Sequence, residues 1–241
     1  MTGLSDTARE KLAHVSTATL TTQLLKRGLR NQCLQGVSRL TAHDRNMVGE
    51  AFTLRNIPAR EDIDQISAYD DYDHPQRKAI ETIPAGKILV VDCRQDASAA
   101  SAGNILMTRL QVRGVAGFVS DGGIRDSYEI AEYDIPCYVG GPSAPTSLIK
   151  HHAVAELNTP IACGGVAVYP DDVLVGDAEG LVVLPAHLAE EIAEQSFEQE
   201  KMEVFIAEEV ASGKPLRGTY PPDEATKARY VEWQKKRDAE A

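Results

Sequence analysis

Two short stretches of this chain hold the residue types that could do chemistry together. One is Asp121-Gly122-Gly123-Ile124-Arg125-Asp126, which delivers an arginine and an aspartate side by side after a glycine pair. The guanidinium is a planar fork that matches a carboxylate, and the aspartate is a hard oxygen ligand suited to magnesium or manganese. The other is Gly103-Asn104-Ile105-Leu106, which follows the small residues Ala97–Ala102. Small side chains allow a ligand close approach, and free N–H groups at a helix start favour an anion. An anion clamp beside a divalent ion is what a small 2-oxo acid requires. On spacing alone the plainer readings stay open. Arg125 and Asp126 would equally serve as an exposed pair at a helix start, and the glycine–alanine run as close packing of a helix on a sheet.

Positioning these residues takes a strand, a turn and a helix. Val115–Val119 reads as a strand opening into a glycine turn at Asp121-Gly122-Gly123, then a helix over Ser127–Glu132. Ile88–Asp92 is a continuous apolar run, as expected of a strand covered on both faces. A helix is expected from about Ala99 to Val112, and another strand at Ile135–Val139. This alternation implies parallel βαβ units, and open α/β sheets bind ligands at the carboxyl edge of their strands. Upstream, residues from about 5 to 28 look helical, with a helix start at Ser16–Thr19, and Ala51–Leu54 reads as a strand. Arg60–Arg77 reads as an exposed acidic insertion before a helix near Lys78–Ile83. Downstream, Pro160–Pro170 and Val173–Leu184 are β-rich, with a hairpin turn at Gly176–Gly180. A long amphipathic helix follows over about Ala186–Ala211, its glutamates a mostly solvated face. The charged tail Pro221–Ala241 carries Tyr230 and Trp233 at helical spacing and is expected to lie against another part of an assembly.

Composition narrows the function classes. The chain has 241 residues and a net charge of −11, so its surface disfavours nucleic acid. The N-terminal stretch Met1–Asp6 has no apolar signal region and no run approaches membrane-spanning length. Cys33, Cys93, Cys137 and Cys163 are widely spaced, which suits reduced, buried thiols. A cytoplasmic protein with no membrane partner is therefore expected. Zinc-binding histidine pairs, serine elbows and phosphate-binding glycine loops are all absent. His151-His152 suit a surface role.

Taken together, Gly103–Leu106, Asp121–Asp126 and Pro160–Pro185, with its Gly164-Gly165-Val166 and Gly176-Asp177, resemble the RraA-like family. That family includes 4-hydroxy-4-methyl-2-oxoglutarate aldolases and proteins named as regulators of ribonuclease E activity. The resemblance covers roughly residues 10 to 210. It implies an α/β/β/α layered fold with a central βαβ unit, a β-rich section and a long C-terminal helix. It sets an RraA-like domain over residues 1–212 and a charged extension over 213–241. It also implies homotrimers or hexamers with sites at subunit boundaries, and a divalent metal, Mg2+ or Mn2+. On this likeness Arg125 binds the substrate carboxylate, Asp126 holds the metal, and the N–H groups of Ile105 and Leu106 meet the pyruvyl carboxylate. A glutamate from a neighbouring subunit's C-terminal helix completes the site, with Glu200 the first candidate and Glu203 and Glu198 behind it.

The chain departs from this family at two positions. Asn104 stands where catalytic members carry an acid, and an amide cannot act as a general base. Asp171 stands where glycine is common, and aspartate tolerates a left-handed backbone well. The expected activity is a metal-dependent carbon–carbon lyase acting on a small 2-oxo acid, by aldol cleavage or by decarboxylation of an oxaloacetate-like acid. Asn104 also leaves room for hydration or dehydration of a sugar-derived 2-oxo acid. A non-catalytic ribonuclease-binding regulator is the alternative from another class.

Overall fold

The computed structural model describes residues 3–240. Met1, Thr2 and Ala241 fall outside it, and with them part of the N-terminal stretch and the end of the charged tail.

The first expected helix is two. Ser5 caps α1 (Asp6–Leu12) and Ser16 caps α2 (Thr17–Lys26), each hydroxyl accepting an N–H of the first turn. Then come β1 (Ser38–Arg39) and the long strand β2 (Met47–Pro58). A short 3-10 turn over Ile66–Asp70 leads to α3 (Pro75–Thr82), with Pro75 in the first turn where its missing N–H costs nothing. Next are β3 (Ile88–Asp92), β4 (Ala100–Ala102), α4 (Asn104–Val112), β5 (Gly117–Ile124), α5 (Ser127–Ile130) and β6 (Cys137–Pro142). The β-rich section holds β7 (His151–Ala153), β8 (Ile161–Cys163), β9 (Val166–Val168), β10 (Val173–Gly176) and β11 (Leu181–Leu184). The chain ends in α6 (Ala189–Ala211), the kinked turn α7 (Leu216–Thr219) and α8 (Glu224–Glu240).

The main sheet runs β1-β6-β5-β3-β2-β10-β11, with β4 added beside β5 and β7 beside β2. Strands β6, β5, β3 and β2 are mutually parallel, so the expected βαβ unit is present. The hairpin β10–β11 folds back antiparallel, with Val173 opposite Leu184. Alternation within single strands explains the layering. In β3, Leu89 and Val91 pack with α3 and α4 residues such as Ile80 and Met107. Ile88 and Val90 face the opposite way, against Leu174, Leu181 and Val183 of the curled hairpin. Val182 and Leu184 of β11 then pack outward on α1, α2 and α6 through Leu12, Leu20 and Ile192. Both apolar runs are continuous because both faces of each strand are covered, and the result is an α/β/β/α mixed fold.

Three expectations need correcting. Ala100–Ala102 is a strand, not a helix start, because it pairs in parallel with β5. The glycine turn is itself strand, since β5 continues to Ile124. A Cβ on Gly123 would lie 2.4 Å from the Ser143 Cβ and 2.7 Å from the Ala97 carbonyl, so glycine is there for close approach and not for a turn conformation. The aromatic tail lies on its own chain: Tyr230 and Trp233 of α8 pack on Phe205 of α6 at 5.6 and 5.7 Å between ring centroids.

Smaller departures follow the same logic. The glutamates of α6 are not simply solvated, since Glu190 accepts from Ser5, Glu191 pairs with Arg27 and Glu194 pairs with Lys11, tying α1 and α2 to α6. His151 is a buried strand residue 1% exposed, not a surface group, and His152 pairs with Asp64 at 2.7 Å. Asp171 adopts the left-handed backbone at φ +70° and pairs with Lys87. No helix among the described residues is long and apolar enough to cross a membrane.

Candidate active site

A cleft of about 350 Å³ opens where β4 passes into α4. Its walls include Gly103, Asn104, Ile105, Leu106, Arg125 and Asp126, so the two chemically suggestive stretches do meet in one place. Their meeting follows from strand pairing. β4 lies parallel to β5, and the Arg125 N–H donates to the Ala102 carbonyl at 3.0 Å. The start of α4 is thereby fixed beside the end of β5.

Asp126 adopts a left-handed backbone, φ +55° and ψ +31°, at the start of α5. Its side chain caps no N–H of that helix. It turns instead to α4, where one carboxylate oxygen accepts the Asn104 N–H at 3.1 Å. Asp126 thus stands at the N-cap position of α5, as the plainer reading requires, while its side chain serves α4. A carboxylate at this helix N-terminus meets the positive end of the dipole. Gly103 makes the approach possible, because a Cβ there would lie 2.9 Å from that same oxygen. The Arg125 guanidinium is exposed and has no ion pair or hydrogen bond among the described residues.

Asn104 is held from both sides. Its Oδ1 accepts the Ile105 N–H at 2.7 Å, and its Nδ2 donates to Glu129 at 2.9 Å. The Tyr133 hydroxyl donates to the other Glu129 oxygen at 3.1 Å. The Ile105 amide is therefore engaged, whereas the Leu106 N–H has no acceptor among the described residues. Within one chain Glu200 does not reach the cleft; it accepts the Ser16 N–H at 2.9 Å.

Several cleft residues were not singled out by their sequence. Tyr69, Gln76, Arg77, Thr146 and Ser147 complete the lining, the first three from the segment read as an exposed insertion. Nothing local marks them, since a loop's packing partners depend on the tertiary fold. Glu129 is unmarked in the sequence for the same reason: its partner Asn104 lies 25 positions away.

The conspicuous Asp121 has a structural job. It is 3% exposed and accepts the N–H groups of Cys93 at 2.6 Å, Gln95 at 3.1 Å and Gly164 at 3.0 Å. It thus ties β5 to the turn after β3 and to the β8–β9 hairpin. Nucleophilic thiol chemistry is disfavoured, because burial pushes Cys93 up to about 12 and raises Cys137 and Cys163 as well.

The donor set suits a hard, hydrated ion. Among the described residues no group of three or more His, Cys, Asp or Glu side chains gathers as a closed metal site. Asp126 offers one carboxylate at the cleft, and a magnesium-like ion that keeps most of its waters needs only one or two. A closed tetrahedral zinc site would need more.

A protein of Halalkalibacterium halodurans, provisionally named a 4-hydroxy-4-methyl-2-oxoglutarate aldolase, is 34% identical over 119 residues. That match spans 49% of this chain and 56% of the relative, little more than half its length. A Thermus thermophilus protein named 4-hydroxy-4-methyl-2-oxoglutarate aldolase is 31% identical over 109 residues, 45% of this chain and 65% of that protein. The solved structure of Streptomyces coelicolor RraAS2, described as an unusual member of the RNase ES inhibitor RraA protein family, superposes with a TM-score of 0.74 at 29% identity. It covers 85% of this chain and 98% of that one. The profile of the RraA-like family, described as Aldolase/RraA, matches residues 13–183, and the chain belongs to that family.

Proposed function

We propose that the cleft is the active site of a divalent-metal-dependent carbon–carbon lyase that releases pyruvate from a small 2-oxo acid. The observation that carries this reading is the unpartnered Arg125 guanidinium beside Asp126 at the start of α4. Asp126 would hold the ion, magnesium or manganese, which supplies Lewis acidity to a 2-oxo group and its carboxylate. Arg125 binds the substrate carboxylate and offsets charge as it develops. The free Leu106 N–H and the α4 dipole orient the same carboxylate.

In decarboxylation of a 3-carboxylated acid such as oxaloacetate, the bond to the departing carboxylate breaks and carbon dioxide leaves. The electron pair forms the enolate of pyruvate, which takes a proton at its methylene carbon. No base is needed. In aldol cleavage the 4-hydroxyl must first lose its proton, and the Asn104 amide cannot accept it. Decarboxylation is therefore the better match to these side chains, with aldol cleavage dependent on a base from elsewhere. We read the working unit as a homotrimer or hexamer, in which Glu200 of a neighbouring copy is the candidate for that role.

The test is pyruvate release from oxaloacetate and from 4-hydroxy-4-methyl-2-oxoglutarate, with magnesium and with manganese. Turnover of either acid is expected. Absence of turnover with both acids under both metals would overturn the assignment.

A second reading is a non-catalytic partner of a ribonuclease. The likeness to the Streptomyces protein, a member of a family of RNase ES inhibitors, and a net charge of −11, which suits a basic protein surface, favour it.

A further inference from the structure

Arg77 is a second guanidinium in the same cleft, and its surroundings do not account for it. It sits in the first turn of α3, where the helix dipole disfavours a cation. It is only partly exposed, and its buried Nε has no acceptor among the described residues. The acid four residues on, Glu81, is taken by Arg109 at 2.8 Å and Arg113 at 3.7 Å. No carboxylate lies within ion-pair distance of Arg77 among the described residues. Partial burial of an unpaired charge is unfavourable unless an anion arrives to match it.

The neighbouring side chains hold the guanidinium in place instead of neutralising it. Arg77 lies over the Tyr69 ring at 5.2 Å, a cation–π contact that steadies the guanidinium. The Tyr69 hydroxyl lies 3.5 Å from the Thr146 hydroxyl on the facing wall. Gln76 next door is not free to bind, because its amide donates to the Ser101 carbonyl at 2.6 Å. His74 is kept below the ordinary imidazole range by burial and by Arg77 itself, so it adds no competing charge near neutral pH. The chain is strongly acidic, yet this cleft presents two unmatched arginines against Asp126.

We propose that Arg77, braced by Tyr69, is the subsite for a second carboxylate, so that the cleft selects dicarboxylic over monocarboxylic 2-oxo acids. This rests on the 2-oxo acid reading above, with Arg125 and the α4 start taking the 2-oxo end. The volume of about 350 Å³ is at the lower end of small-ligand pockets and suits a compact diacid. Arg77 is then a specificity-determining residue.

Calorimetric titration in the presence of magnesium separates the possibilities. The probes are 2-oxoglutarate and 2-oxopentanoate, which share a five-carbon chain and differ in the terminal carboxylate. Wild-type protein is expected to prefer the diacid by roughly 10- to 100-fold, the usual range for a charge-assisted hydrogen-bonded pair. Arg77→Gln should bring the two affinities to within about threefold while leaving 2-oxopentanoate binding unchanged, which also shows that the variant folds. Arg77→Lys should keep part of the preference, as a point charge without the fork. Equal affinities in wild type, or a diacid preference that survives Arg77→Gln, would overturn the Arg77 assignment and leave the 2-oxo acid site standing. Binding of neither acid by wild type would overturn both.

Discussion

Asn104 and Glu129 constrain each other at the start of α4. The amide donates to a carboxylate oxygen at 2.9 Å, so an acid at position 104 would face a like charge at hydrogen-bond distance. Two carboxylates at that separation repel, so an acid at position 104 would swing away from Glu129 and out of the place the amide holds. Asn104→Asp alone should therefore give little gain in aldol cleavage of a 4-hydroxy-2-oxo acid. Asn104→Asp with Glu129→Gln, which restores a donor opposite the new acid, should raise kcat roughly tenfold or more over the single variant, within the usual range for general-base catalysis. Equal rates for the single and double variants would show that Glu129 does not constrain position 104. The residues with chemistry of their own were legible from sequence: Arg125, Asp126 and the Gly103–Leu106 stretch do share one cleft. What was not legible is their hydrogen bonding. The turn of Asp126 toward α4 and the engagement of the Ile105 amide depend on contacts between separate elements.

At the scale of elements, the strand periods and the long C-terminal helix could be read because their apolar patterns are local. The β4–β5 pairing could not, since Ala99–Ala102 is a run of small residues whose helical preference is overridden by the open edge of β5. The same pairing turned an expected glycine turn into strand, and with it moved Asp121 from the rim to the interior. Asp121 offers its acceptors to three backbone N–H groups from two other segments. Asp121→Asn keeps the shape but presents an NH2 group to at least one of those donors. The expected loss is about 2–4 kcal/mol of unfolding free energy by denaturant titration, from buried donors left unsatisfied. A change below about 0.5 kcal/mol, the scale of a surface substitution, would show that the hub does not hold these segments together.

The whole molecule should respond to acid through its buried imidazoles. Burial holds His74 and His151 below the ordinary value of 6.5. The unfolded chain binds protons at these groups more readily than the folded one, so their contribution is present above that value and is lost as pH falls through the lower folded values. Asp92 and Asp172, raised by burial, act in the opposite sense, losing their contribution as pH rises through their folded values. His151 is the cleaner probe, because it is the more deeply buried of the two, 1% exposed. The thermal midpoint should drop between about pH 7.5 and about pH 5.5, and the drop should be smaller in His151→Met. Identical slopes in the two proteins would show that His151 does not set this response.

One layered fold brings a strand end and a helix start together, and the enzymatic reading depends on the arginine left unmatched where they meet. The most direct test is the initial rate of pyruvate release from oxaloacetate by wild type and by Arg125→Gln, each with magnesium and each checked for an unchanged thermal midpoint. A loss of about a hundredfold or more in kcat/KM is predicted, as when one preorganised charge-stabilising donor is removed from a site. Wild-type kcat/KM in Arg125→Gln would contradict the placement of the substrate carboxylate on Arg125, and with it the cleft as the active site.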